Sequence, residues 1–216
     1  MGLKTRIAAS AAVALASVST ASAGFVYSTA ARSVEATASA TSDSATDTGF
    51  GTWFDSASVF ATTSNALAQH GSQLASTSMN FAGAAQSSAV TGGVSSATSG
   101  ATIDFTSDMD QVVSFILGLT RTASGGGFST VVVTLTDLTM NEVRLTASAT
   151  AAFSGTLELD AGHNYRLLID ADAGVQGAGD SLGQYNVAFS APVPAPGALA
   201  LLGLAGFTGL AGRRRR

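Results

Sequence analysis

Cysteine is absent from the 216 residues, so disulfides, thiol nucleophiles and thiolate metal sites are all excluded. Any fold is therefore held by an ordinary apolar core. Histidine is scarce: His70 and His163 are the only two, there is no His-Glu-x-x-His helix, and a catalytic zinc would lack its usual ligands. Proline is missing from the body of the chain, since all three fall together at Pro192, Pro194 and Pro196. Positive charge is confined in the same way. Of ten basic residues, Lys4, Arg6 and the run from Arg213 to Arg216 stand at the ends, which leaves Arg32, Arg121, Arg144 and Arg166 against all 14 acidic side chains. The stretch between the ends carries a formal charge of about −10, not the −4 of the whole chain. Such a surface repels phosphate backbones and anionic lipid, which excludes nucleic-acid binding and suits solubility outside the cell or attraction to divalent cations. No repeat at a period of about 20 to 50 residues is present, which disfavours a solenoid or propeller.

What is present begins at the two ends. Lys4 and Arg6 precede an apolar stretch over 7–18, and Ala21-Ser22-Ala23 supplies the small residues that a signal peptidase requires before Gly24. Charge, length and cleavage motif predict a secretory signal over 1–23, cut after Ala23 so that the mature chain starts at Gly24. At the other end the three prolines remove backbone donors and predict an extended, accessible hinge. Beyond it, Thr208 is the only residue of 197–212 that is neither apolar nor glycine. A helix there would span roughly 24 Å, short of the roughly 30 Å hydrocarbon core. Snorkelling by Arg213, Arg214, Arg215 and Arg216 offsets part of that mismatch and places the C-terminus in the cytoplasm. Gly203, Gly206, Gly209 and Gly212 form a small-residue stripe on one face of this transmembrane helix, which a helical partner could pack against.

The order Val193-Pro194-Ala195-Pro196-Gly197, apolar run, Arg213 to Arg216 resembles the C-terminal sorting signal named PEP-CTERM of exported bacterial proteins. That signal joins a Val-Pro-Glu-Pro motif, a short apolar helix and a terminal Arg cluster. Ala195 stands where the family has Glu, a departure that resembles a Pro-Ala-Pro-Gly variant of the signal. The resemblance covers 193–216 and implies recognition near the proline motif by an exosortase, a membrane-embedded, transpeptidase-like cysteine enzyme. Release or transfer to the cell surface would follow.

Between the ends, residues 24–191 predict an all-β exported domain, an antiparallel β-sandwich or jelly roll. Apolar residues alternate with polar ones around Val113 to Leu119, Val131 to Leu135, Val143 to Ala149, Phe153 to Leu159, Tyr165 to Ile169 and Tyr185 to Phe189, the period of half-buried strands. Gly-rich or Asn/Asp-rich stretches at 123–127, 140–141, 160–163 and 173–183 predict the turns between them. Phe115, Phe153, Tyr165, Tyr185 and Phe189 are expected in the core. Earlier in the chain Ala, Ser and Thr dominate. Strands are expected over 25–38, 52–62 and 72–82, with 41–48 as a polar linker.

Several strings suggest chemistry. Gly179-Asp180-Ser181-Leu182-Gly183 has the form of a hydrolase serine motif, and Asp160 with His163 could complete a triad. The serine follows the histidine, however, and opens no helix, so the nucleophile elbow is missing. Asp108, Asp110, Asp170, Asp172 and Asp180 could offer oxygen ligands to calcium, but no segment completes an EF-hand loop. Glu35, Glu142 and Glu158 would need a shared cleft to act as a glycosidase pair. No catalytic, cofactor or metal residue is assigned. The leading expectation is a non-enzymatic cell-surface or extracellular-matrix protein, whose partners are the secretion machinery, the exosortase-type enzyme and, through the tail, the membrane. A carbohydrate-binding module for extracellular polysaccharide is the alternative, with Trp53 and Phe54 as its aromatic pair. A secreted hydrolase is third, and requires Ser181 and His163 to meet.

Overall fold

The computed structural model describes residues 24–192, which form ten β-strands and no helix. The strands are β1 (Phe25–Ala38), β2 (Thr41–Asp47), β3 (Thr52–Phe60), β4 (Ser64–Ala75), β5 (Ser78–Ala89), β6 (Val94–Ser107), β7 (Gln111–Asp137), β8 (Glu142–Ala147), β9 (Ala151–Leu159) and β10 (Asn164–Ser190). Every pairing is antiparallel. The all-β, antiparallel expectation therefore holds. The strands form one sheet, nearly closed into a barrel.

Two long strands give the sheet its shape. Residues 164–176 of β10 pair with β6, and residues 165–175 also pair with 127–137 of β7. Farther along, residues 179–190 of β10 lie between β5 and residues 114–125 of β7. One half thus runs β2-β1-β6-β10-β7-β8 and the other β3-β4-β5-β10-β7-β9, with β7 and β10 common to both. The inner surfaces of the two halves meet. Tyr27 donates its hydroxyl proton to the Ala75 carbonyl (2.7 Å), and Ser99 donates to that of Gln69 (2.7 Å).

Strands can switch halves only at a corner, and corners need bends. The β7–β10 register shifts between Val175 and Gly179, opposite the glycines at 125–127. Gly125 (φ 58°) and Gly177 (φ 92°) take left-handed backbone there, which glycine adopts without a Cβ penalty. The expected turns at 123–127 and 173–183 are these bends, inside continuous strands. A ladder that persists through a glycine corner leaves no loop for composition to reveal.

The early segment differs from expectation in two places. Residues 41–47 form β2, because the backbone ladder to β1 does not need large side chains. The single strand expected over 72–82 is a hairpin, with β4 and β5 meeting at Ser76 and Thr77. The core is graded. Ala36, Ala38, Ala57, Ala66, Ala68, Ala85, Ala97 and Ala173 line one end, whereas Phe81, Phe105, Phe115, Tyr165 and Phe189 fill the other. Of the expected core aromatics Phe153 is the exception: it lies on edge strand β9, packs edge-on against Phe115 at 6.0 Å and stays 37% exposed.

Candidate functional site

On the outer surface of the half containing β3, β4 and β5, strand register aligns a row of small residues. Phe54 lies opposite Gly71, Gly71 opposite Ala82, Ala82 opposite Asn186, Asn186 opposite Gly118 and Gly118 opposite Ala152. Taller side chains flank this row, with Gln73, Asn80 and Ile116 on one side and Gln69, Gln184 and Thr120 on the other. Along the Gln69, Gln184 and Thr120 side runs an open groove of about 510 Å³, bounded by Phe54 at one end and lined by no Asp, Glu, Lys or Arg. Phe54 is 72% exposed. Its ring lies over Gly71, where an added methyl would press on the phenyl edge. An exposed aromatic face beside carboxamides and hydroxyls can stack on a ring and exchange hydrogen bonds with a neutral, hydroxyl-rich ligand.

A buried network holds the floor of this groove. Ser99 gives its proton to the Gln69 carbonyl, so in the 2.9 Å contact between Ser99 and Tyr185 the phenol donates, and His70 Nδ1–H then donates to the phenol oxygen. This bond fixes the proton on Nδ1, and the lowered pKa keeps the ring neutral. Burial first, and then the nearby Arg32 charge, lower its pKa to about 4. Its Nε2 is buried without a partner. Burial also raises the Tyr185 phenol pKa. Gly83 sits between the two rings, because a Cβ at that position would collide with the Tyr185 hydroxyl. Trp53 faces inward where Phe54 faces outward, as strand alternation requires. Its ring lies 5.1 Å from that of His70 and under Arg32 at 5.7 Å. Arg32 is buried, reaching Asp47, the Gly49 and Gly51 carbonyls and Ser72. The Trp53–Phe54 pair is thus split between core and surface.

The serine-hydrolase residues do not meet. Ser181 is buried in β10 opposite Ser87 and Ala123, with its hydroxyl unpartnered. His163 instead donates from Nδ1 to Asp137 at 2.9 Å. Asp137 is fully buried, and its second oxygen accepts the N–H groups of Thr139 and Met140. Burial works to raise this carboxyl's pKa, but the His163 bond and the two N–H bonds outweigh it and hold the pKa below its ordinary value. The same Asp137 bond raises the His163 pKa. Ligand atoms of Asp137, Asp160 and His163 lie within 4.8 Å of one another, yet one Asp137 oxygen is already used to shape the β7–β8 turn and the other to hold His163. Sequence reasoning missed Asp137, whose one local signal is an Asp at a strand end two residues before a turn.

Comparison with family models, with curated proteins and with solved structures finds no match for the chain.

The calcium candidates are dispersed. Asp108 accepts from Gly24 N–H, Asp110 accepts from Ala161 N–H, and Asp170 and Asp172 stand together on the outside of β10. Burial first and the Asp172 charge second raise the Asp170 pKa to about 6. Glu35, Glu142 and Glu158 lie on β1, β8 and β9, and none lines the groove. Ala21, Ala23, Val193, Pro194, Ala195, Pro196, Gly197 and the four terminal arginines lie outside the described residues. The expected helix over 197–212 lies outside them as well.

Proposed function

We propose that this chain is an exported, non-enzymatic surface or matrix protein. In this reading the first 23 residues are removed by signal peptidase and the tail from Val193 to Arg216 is processed by an exosortase-type enzyme. The two sheet halves act as layers of a β-sandwich or jelly roll, between a signal helix and a transmembrane helix over 197–212. The protein crosses the cytoplasmic membrane, is held briefly with its C-terminus inside, and ends at the cell surface or beyond. What supports this is the fit of the folded unit to the interval between the targeting segments. β1 starts one residue after the expected cleavage point, and Ala191, buried and bonded through its N–H to the Thr77 carbonyl at 2.9 Å, closes the fold just before the proline hinge. Replacing Arg213 to Arg216 with glutamine should abolish sorting, read by intact mass and cell fractionation. Unchanged mass and location would overturn the assignment.

A second reading, extracellular polysaccharide binding, is favoured by the exposed Phe54 and the uncharged, amide-lined groove. It predicts retention of the exported protein on an insoluble neutral glucan, weakened about tenfold by Phe54→Ala, since loss of one stacking contact is worth roughly 1 kcal/mol or more. Equal retention of both proteins would remove this reading.

A further inference from the structure

The geometry points to Asp108 as the receptor for a free amino group. Once the chain is cut after Ala23, the new α-ammonium of Gly24 and the Asp108 carboxylate form an ion pair that fastens the start of the domain. This rests on the export reading above, and concerns what the cut creates.

Residues beside a signal cleavage point are ordinarily loose. Gly24 is buried and held on both sides. Its nitrogen lies 2.8 Å from Asp108 Oδ1, a contact across 84 residues of sequence. Its carbonyl accepts from the Asp108 N–H and from Gln111 Nε2, both at 3.3 Å. Gln111 is itself buried and fixed by a 2.7 Å bond to Ser107 Oγ, which donates onward to the Met109 carbonyl. The link between β6 and β7 therefore forms a socket for residue 24.

The chemistry of the cut suits that socket. Hydrolysis adds water across the Ala23–Gly24 bond: the carboxylate leaves with the signal, while the amine remains and takes up a proton near neutral pH. One neutral N–H donor thus becomes a cation with three donors at the same position, where charge-assisted bonds are about twice as strong. Among the described residues, the surroundings supply no competing cation. Asp108 and Asp110 lie on the β6–β7 link, and Asp160 and His163 on the β9–β10 turn, which touches Ser107 through the Gly162 N–H. His163 is taken by Asp137, and the Arg166 on β10 by Asp104 on β6 with bonds of 2.7 and 2.8 Å. Among the described residues, no ion pair includes Asp108.

An α-amine ordinarily titrates at about 7.7 to 8.0, and a carboxylate at hydrogen-bond distance raises that value. The resulting stability is complete below about pH 8 and is lost as pH rises through the higher folded value. Lys4 is the only lysine in the chain and lies in the signal, so the mature protein has a single primary amine, at Gly24.

That single amine makes the test direct. Protein recovered from cells exporting the full chain is weighed intact, then treated with a small amine-reactive ester across a pH series. The expected mass begins at Gly24, one label is taken up, and the labelling midpoint lies at about pH 9. Asp108→Asn should label about fivefold faster at pH 8. A chain with two serines inserted between Ala23 and Gly24, which carries its amine beyond the socket, should label at that faster rate whether or not Asp108→Asn folds. A mass that starts elsewhere than Gly24 overturns the cleavage assignment. A correct mass with a midpoint of about 8, shared by the wild type and the insertion, overturns the ion pair alone.

Discussion

The two halves of the sheet share an apolar inside and differ sharply outside. The half built on β1 and β6 carries Glu35, the Asp104–Arg166 pair, Asp170 and Asp172 on its outer surface. The half built on β4 and β5 exposes Asn65, Gln69, Gln73, Asn80, Gln86, Gln184 and Asn186, with Phe54 and Phe60 beside them. Solubility is served by the acidic side. On the amide side Asp180 and Glu158 lie toward the margins, and the groove itself is left free of charge beside an exposed phenyl, the chemistry of a surface that meets a neutral partner. The halves even titrate in opposite senses, since His70 resists protonation on one and Asp170 holds its proton on the other.

The strongest way to break the comparison is to separate the halves. Arg32, on β1, reaches Gly51 and Ser72 across the seam where β2 and β3 approach. Arg32→Ala strands the Asp47 carboxylate and empties the space over Trp53. It should cost about 3 kcal/mol or more, measured by urea unfolding with Trp53, the one tryptophan, as the fluorescence probe. A loss under 1 kcal/mol would show that the seam does not depend on this residue. Next in size, Gly83→Ala drives a methyl into the Tyr185 hydroxyl and should cost about 1 to 3 kcal/mol by overpacking. The methyl also meets Ser99 Oγ on β6, so the disturbance starts under the groove and reaches the other half through the buried network.

The pH dependence sharpens the contrast at smaller amplitude. His70 has its folded pKa lowered to about 4, so the unfolded chain binds more protons between there and about 6.5, and stability falls as pH drops through that window. Asp170 has its folded pKa raised to about 6, so the folded chain binds more protons down to about 3.8, and stability grows over nearly the same fall. Each group supplies a slope of up to about 1.4 kcal/mol per pH unit, of opposite sign. His70→Asn should therefore lessen the acid loss between pH 6 and 4, and Asp172→Asn, which lets Asp170 ionise more easily, should steepen it. Parallel curves for the two variants would contradict the assignment.

What the sequence revealed follows side-chain size. From Val113 to Phe189 the core is made of Val, Leu, Ile and aromatics, so alternation is plain and the strands lie where period two places them. Before residue 100 the inward positions are largely alanine and serine. There the halves approach closely enough for Ser87 to bond Ser95 across the core. Small inward and small outward residues look alike in sequence, which hid β2 and the β4–β5 hairpin. The groove was less legible still. Gly71, Ala82, Gly118 and Asn186 lie on four strands and become neighbours only through pairing register. Phe54 was legible only as half of the Trp53–Phe54 pair, since strand alternation turns one of two adjacent aromatics inward and the sequence alone does not say which.

The smallest expected effect on stability is also the most discriminating. Phe54 is largely exposed and rests on Gly71, so Phe54→Ser removes little buried area and should change unfolding free energy by less than about 0.5 kcal/mol. Asp172→Asn, on the opposite face, should also leave binding to neutral glucan untouched. If Phe54→Ser keeps its stability and loses retention while Asp172→Asn keeps retention, then binding belongs to the amide face. If both keep retention, the glucan is held elsewhere, and the contrast between the faces reflects solubility alone. If Phe54→Ser unfolds, the phenyl is structural cover for the Gly71 backbone, and its exposure is not that of a binding platform.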